Sequence, residues 1–372
     1  MESSLLTKLE NTSISTLKPE SFDRLKVIGK GGYAKVFQAR KKDTNQIFAM
    51  KVVTKPDNKI DENHIKDEIR IFENVKSRFL CEMVHRFETT KKVYMVLEFL
   101  PGGELFSLLN REETLEEEAA RFYIAQIALA LEHLHNNNVV YRDLKPANVM
   151  LDRYGHAKLI DFGLSKFNLA KGERTSTFCG TIDYMAPEML RNGGSYGHSV
   201  DIWALGILMY DMVVGGPPFS GETEKEMYAN IRRAPLKLSK KFSPECREVI
   251  NSLLLRKVEN RISIDAMKSL DFFKLMDWEK LEAGELEAPF RPEISSDTDV
   301  SQFDTCFTDL PPEESPCKAV RIGHGDEENN RFAGFDENLW FTSDWSSKGM
   351  TSKTTDKKAS RRLGDLISSN IN

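Results

Sequence analysis

Asp143, Lys145 and Asn148 fall within six residues of one another in the stretch 139–151, VVYRDLKPANVML. Apolar runs on both sides confine them to a short polar loop, and Pro146 keeps that loop from continuing as helix. A carboxylate, an ammonium and a carboxamide at this spacing suit phosphoryl transfer. Asp143 can orient an attacking hydroxyl and accept its proton, Lys145 can neutralise charge on the moving phosphoryl group, and Asn148 can hold a metal ion. Asp161, in KLIDFGLSK, ends an apolar strand just before Phe162 and Gly163. An acid there is placed to bind Mg²⁺ bridging the phosphates of a nucleotide. The competing reading is a turn with incidental charges, and the full string is far more specific than such a turn requires.

A second group lies upstream. Lys51 sits between Met50 and Val52 on the strand-like run IFAMKVV. A lysine in apolar company either snorkels to water or meets an anion. Taken alone, an edge-strand lysine facing water is the simpler reading. Glu68, set among Ile65, Ile69 and Phe72 at helical spacing, can reach back to Lys51 and aim its ammonium at a phosphate. GKGGYAKV, residues 29–36, resembles the phosphate-cradling G-x-G-x-x-G with Ala34 at the third glycine position. Gly29 and Gly31 allow close approach of backbone to phosphate, and Ala34 adds one methyl at the loop margin. A stiffer loop is expected, with the site retained. Further on, Glu188 in APEML needs a buried cation, and Arg261 in ENRIS is the candidate for a structural pair.

The elements that must position these residues change character along the chain. FDRLKVIGK and KVFQAR alternate around the glycine loop as a hairpin. IFAMKVV, a helix through Ile65–Phe72 and KVYMVLEFL follow, and PGG ends the strand-rich half. A long amphipathic helix, EEEAARFYIAQIALALEHLHNN, and a nearly all-apolar one, SVDIWALGILMYDMVVG, open a helical half. Two unlike lobes leave a cleft in which a ligand is expected. From about 274 the text becomes rich in Pro and acids and poor in aliphatics, so it must lie on the domain or stay loose.

Composition narrows the class. The chain has 372 residues, 40% hydrophobic and 29% charged, with a net charge of -5. That acidic balance argues against nucleic-acid binding. No apolar run is long enough for a membrane span. MESSLLTKLE shows no basic region followed by an apolar stretch, so no secretory signal is read. Five cysteines are scattered without CxxC spacing, which points to reduced thiols in cytosol or nucleus.

Taken in order, the glycine loop, Lys51, Glu68, YRDLKPAN, DFG and APE resemble a eukaryotic protein kinase over residues 22–273. Tyr141 before Arg-Asp, TFCGT and the tail phrases PFRP and DVSQFD are similar to the AGC group of serine/threonine kinases. GKGGYAKVFQARK, LPGGELF, FCGTIDYMAPE and MYDM are most similar to its ribosomal protein S-six kinase branch. The resemblance implies an α+β, bilobal protein-kinase fold. The expected layout is a loose arm over 1–21, a small lobe over 22–100 and a mostly helical large lobe over 101–273. An AGC-type tail over 274–341 and a disordered stretch over 342–372 follow. ATP and Mg²⁺ are the implied cofactors. Ile28, Gly29, Lys30, Gly31, Gly32, Val36, Ala49, Lys51, Glu68, Glu98, Leu100 and the tail aromatic Phe303 would surround ATP, with Asn148 and Asp161 on the metal.

The same resemblance implies regulation and specificity. Thr177 maps to the threonine phosphorylated by an upstream kinase, and His64, Arg142 and Lys166 can converge on the added charge. Ser315, before Pro316, matches a second phosphosite. Phe332 and Phe335 match a hydrophobic motif in which Asp336 stands at the phosphosite position. Glu104 and Asp211 match acids that favour arginine on the substrate, and Thr181 belongs to the polypeptide-binding segment GTIDYMAPE. Ala147 replaces one further acid, so a weakened demand for one substrate arginine is expected. Partners are then basic protein substrates and an activating kinase, with no nucleic acid or membrane, for a monomeric cytoplasmic or also nuclear chain. A catalytically dead scaffold, supported only by Ala34, a small-molecule kinase and a binding module are the alternatives.

Overall fold

The computed structural model describes residues 17–31, 34–56, 59–191 and 193–315. Five strands form the small lobe: β1 (Phe22–Lys30), β2 (Ala34–Lys41), β3 (Ile47–Thr54), β4 (Met83–Glu88) and β5 (Lys92–Glu98). They pair antiparallel in the order β1-β2-β3-β5-β4. Helix α1 (Lys59–Asn74) lies between β3 and β4, with Asp61 and Glu62 in its first turn, where the positive helix end favours them.

Strand periodicity resolves the question of Lys51. Phe48, Met50 and Val52 join Phe22, Val27, Phe37, Ala39, Tyr94 and Val96 in a cluster on one face of the sheet. Lys51 points to the other face, between Val36 on β2 and Met95 on β5. Its apolar sequence neighbours are therefore not its spatial neighbours.

The large lobe contains α2 (Leu105–Glu112), α3 (Glu117–Asn136), a two-stranded ribbon of β6 (Val149–Leu151) and β7 (Ala157–Leu159), α4 (Ser199–Val214), α5 (Glu224–Arg233), α6 (Pro244–Leu253), α7 (Ile264–Lys268) and α8 (Trp278–Ala283). The two helices expected from the sequence match α3 and α4. The latter is buried nearly all round, as its composition requires, and ends at Gly215 with φ 90°.

Residues 274–315 lie on the domain, and α9 (Thr305–Thr308) crosses the small lobe against β1. Phe307 and Leu310 from the tail, with Leu17 from the start of the chain, cover the outer cluster of the sheet. Residues 17–21, expected within a loose arm, are folded here, and Pro19–Ser21 makes a short 3-10 turn. The physical reason is that both faces of this sheet are apolar and both must be covered. Residues 1–16 and 316–372 lie outside the described residues, so the disorder expected for 342–372 concerns a segment not described. At the hinge, Gly103 has φ 75°, and a Cβ there would approach the Gln302 carbonyl oxygen to 2.5 Å. Only glycine lets the tail pass so close. Among the described residues, no helix is long and apolar enough to cross a membrane.

Candidate functional site

Three elements bring Lys51, Glu68 and Asp161 together. Lys51 Nζ on β3 lies 2.7 Å from Glu68 Oε1 on α1 and 3.1 Å from Asp161 Oδ1, in the segment after β7. All three side chains are buried. Burial alone would lower the basicity of Lys51, but the two carboxylates outweigh it and hold the group above its ordinary range, so it stays cationic. Phe162, next to Asp161, meets Phe72 of α1 edge-on at 4.9 Å and Tyr141 at 5.9 Å. This apolar contact ties the position of Asp161 to the position of α1.

The loop ahead of β6 supplies the second group. Asp143 Oδ1 accepts a hydrogen bond from the Thr181 hydroxyl at 3.0 Å, and its Oδ2 accepts one from Asn148 Nδ2 at 2.7 Å. Lys145 Nζ is 3.1 Å from Asp143 Oδ2 and donates to Thr181 Oγ1 at 3.0 Å. Burial pushes the Asp143 carboxyl up from its ordinary value, and Lys145 is the main opposing influence. The loop backbone is pinned from behind by Asp201 of α4. Its Oδ2 accepts from Tyr141 N–H at 2.9 Å and its Oδ1 from Arg142 N–H at 2.8 Å. Arg142 has φ 70°, a left-handed conformation that a side-chain-bearing residue adopts only when held there.

Two buried oxygens at this site, Asn148 Oδ1 and Asp161 Oδ2, have no hydrogen-bond partner among the described residues. Buried oxygens left over in this way suit a hard cation that takes oxygen ligands. No group of three or more His, Cys, Asp or Glu side chains among the described residues forms a cation cage. The protein therefore offers two ligands, and the fit is to a metal that takes the rest from phosphates and water.

Between the lobes lies a cleft of about 570 Å³, part of it open to solvent. Ile28, Val36, Ala49, Lys51, Glu98, Leu100, Asp161 and Phe303 line it, together with Cys81, Leu97, Phe99, Met150 and Ile160, which the sequence did not single out. Phe303 stacks on Phe99 at 5.8 Å with 12° between the rings, so the tail closes one wall. The Glu98 side chain accepts from Lys158 Nζ at 2.7 and 2.9 Å and from Glu82 N–H at 2.8 Å. Gly29 and Lys30 end β1, and Gly31 N–H donates to the Ala34 carbonyl at 2.8 Å. Ala34 is buried, and Gly32 lies outside the described residues.

Glu188 and Arg261 form the expected bidentate pair, at 2.6 and 3.0 Å. His64, Arg142 and Lys166 lie close enough that both cations, after burial, depress the basicity of His64. Arg142 already donates to the Leu164 and Ser165 carbonyls and to the Tyr196 hydroxyl, and Lys166 Nζ is 3.7 Å from Asp67. The Thr177 carbonyl accepts from the Tyr196 hydroxyl. Asp211 Oδ2 accepts from the Tyr184 hydroxyl at 2.8 Å. Glu104 lines the same cleft as Phe303, and burial raises its carboxyl to about 7, against the pull of Lys145. Ser315 is exposed, with its carbonyl accepting from Lys92 Nζ at 2.9 Å. Phe332, Phe335 and Asp336 lie outside the described residues.

Sequence reasoning missed Asp201, Tyr196 and Glu314. The Glu314 carboxylate pairs with Arg24 and with Lys92 Nζ at 2.7 Å, and accepts from the Tyr94 hydroxyl at 3.1 Å, clasping the tail to β1 and β5. The only signal was the acidic character of the tail beside a lysine-rich hairpin.

The model of the protein kinase domain matches residues 22–273, and that of the protein kinase C terminal domain matches residues 294–336. The chain is 48% identical over 328 residues to ribosomal protein S6 kinase beta of Caenorhabditis elegans, covering 85% of this chain and 59% of that protein. It is 41% identical to protein kinase 2 of Dictyostelium discoideum, covering 85% of this chain and 67% of the relative. It is 42% identical to serine/threonine-protein kinase Sgk1 of Danio rerio, covering 87% and 77%. The catalytic-domain match spans most of the chain, the tail match follows it in order, and the chain thus belongs to the protein kinase family, among the AGC-group serine/threonine kinases.

Proposed function

We propose that this chain transfers the γ-phosphoryl group of ATP to serine or threonine hydroxyls of proteins bearing basic residues near the target. The observation that supports this best is the convergence of two buried groups, Lys51 with Glu68 and Asp161, and Asp143 with Lys145 and Asn148, joined where Ile160 N–H donates to the Asn148 carbonyl. ATP is the substrate of the apolar cleft, its adenine against Val36, Ala49, Leu100 and Phe303 and its phosphates toward Lys51. Glu68 keeps the Lys51 ammonium aimed at those phosphates. Asp143, with Thr181 and Asn148 holding one oxygen each, orients the incoming hydroxyl and accepts its proton. Lys145, beside the same carboxylate, offsets negative charge on the transferring group. Asn148 and Asp161 would hold Mg²⁺, which when bound neutralises phosphate charge.

Activation follows from the cations near Thr177. A phosphate on Thr177 would recruit Arg142, Lys166 and His64, and through His64 it would steady α1 and the Lys51–Glu68 contact. Glu104 and Asp211 supply acid on the peptide side. Phosphate incorporation from ATP into a basic peptide, compared between wild type and Asp143→Ala, tests this reading. Loss of ~10²–10⁴-fold in rate is expected on removing a general base. Equal rates for the two proteins, or none in wild type carrying phosphate on Thr177, would overturn it.

A further inference from the structure

Asp201 carries an unusual burden. Its two oxygens hold the N–H groups of Tyr141 and Arg142, next to Asp143, and Arg142 is in a left-handed conformation that needs holding. His135, at the end of α3, reaches the same carboxylate, with Nε2 2.8 Å from Asp201 Oδ2. His198, just ahead of α4, packs edge-on against His135, with ring centroids 4.8 Å apart and planes at 73°. The Nε2 of His198 is buried and has no hydrogen-bond partner among the described residues. A ring nitrogen is thus buried and unpaired among the described residues, one ring away from the carboxylate that fixes the catalytic loop.

We propose that His198 is a positioning residue, which through His135 keeps Asp201 seated on the Tyr141–Arg142 backbone and releases that seat on acidification. The charged and titratable groups around the ring are His135 from α3, Asp201 from α4 and Lys171 from the segment between β7 and α4. Burial holds His198 below the ordinary histidine range, His135 and Lys171 push the same way, and Asp201 opposes them. A base whose folded value is depressed is stable above its unfolded value, about 6.5, and loses that stability as pH falls through it. Protonation turns the ring into a cation, and Asp201 is the carboxylate that attracts it. Asp201 is then contested between that cation and two backbone donors. The consequence falls on Arg142 and, through it, on Asp143. No group assigned to Mg²⁺ takes part.

The activity arm of the test rests on the phosphotransfer reading, and the second arm does not. In the first, peptide phosphorylation by the full chain is followed between pH 5.5 and 8.5 for wild type and His198→Gln. The ratio of variant to wild-type rate is expected to rise ~2-fold or more between pH 7.5 and 5.5, because only wild type loses its seat in acid. A ratio constant across pH overturns the proposal, whatever its value. In the second arm, the His198 imidazole and the Tyr141 and Arg142 amides are titrated by NMR in the wild-type full chain. All three are expected to move together, with a midpoint below about 6.5. A His198 that titrates at the ordinary value, or amides that do not follow it, overturns the proposal even if no peptide is ever phosphorylated.

Discussion

Glu188 and Arg261 meet in the large lobe with every side-chain nitrogen and oxygen of the pair partnered. The Arg261 fork covers both Glu188 oxygens, Ser199 hydroxyl adds a bond at 3.3 Å, and further guanidinium N–H groups donate to the Leu255 and Ser199 carbonyls. The guanidinium also lies over the Trp203 ring at 5.2 Å. The cluster in the cleft has the same burial and the same chemistry of charge, yet it is open: among the described residues, Glu68 Oε2 and Asp161 Oδ2 are buried and receive no hydrogen bond from a donor. A closed pair is complete as it stands and serves the fold. An open one is satisfied only when a ligand arrives, and that difference separates structural from functional charge more sharply than burial does.

The largest effect that would sharpen this contrast comes from breaking the closed pair. Glu188→Gln leaves Arg261 buried without its counter-charge, and denaturant unfolding should show a loss of ~3–5 kcal/mol. Lys51→Met acts on the open cluster instead. Peptide phosphorylation should fall ~10²–10³-fold, as on removal of a preorganised charge contact, while melting temperature drops less than for Glu188→Gln. The reverse ranking of the two variants in stability would break the comparison. A smaller effect is expected at the tail clasp. Glu314→Gln should cost about 1 kcal/mol and expose residues 300–315 to faster hydrogen exchange, since Arg24 and Lys92 lose a charged acceptor.

The smallest is a pH effect at Glu104. Burial raises its folded value to about 7, above its ordinary 4.5, so the folded chain holds this proton longer than the unfolded one. An acid shifted upward costs stability as pH rises between those values. Glu104→Gln should therefore melt about a degree or two higher than wild type at pH 8 and the same at pH 4. An equal difference at both values would mean that ionisation of Glu104 is not involved.

What the sequence revealed and what it hid divide along the same physical line. Glu188 was legible because an acid inside an apolar stretch demands a cation, and few candidates exist. Lys51, which taken alone read as an edge-strand lysine facing water, became legible only through Glu68, set among Ile65, Ile69 and Phe72 at helical spacing. Asp201 was not. It sits in an all-apolar helix and serves backbone N–H groups 60 residues away, and backbone donors carry no residue signature. Glu314 was hidden for a related reason: its partner Arg24 is 290 residues distant, and an acidic tail reads as solvated until the sheet is seen to have two apolar faces. The folding of residues 17–21 has the same origin.

The central claim is that the open cluster between the lobes is completed by a magnesium nucleotide. Thermal melting of wild type and Asp161→Asn with ATP, in the presence and absence of Mg²⁺, tests it most directly. At ATP about 100-fold above its dissociation constant, wild type should gain about 2.7 kcal/mol of stability, with a component that requires Mg²⁺. Asp161→Asn should lose that component while its melting without ligand stays at or above wild type. Equal magnesium-dependent gains in the two proteins would contradict the account.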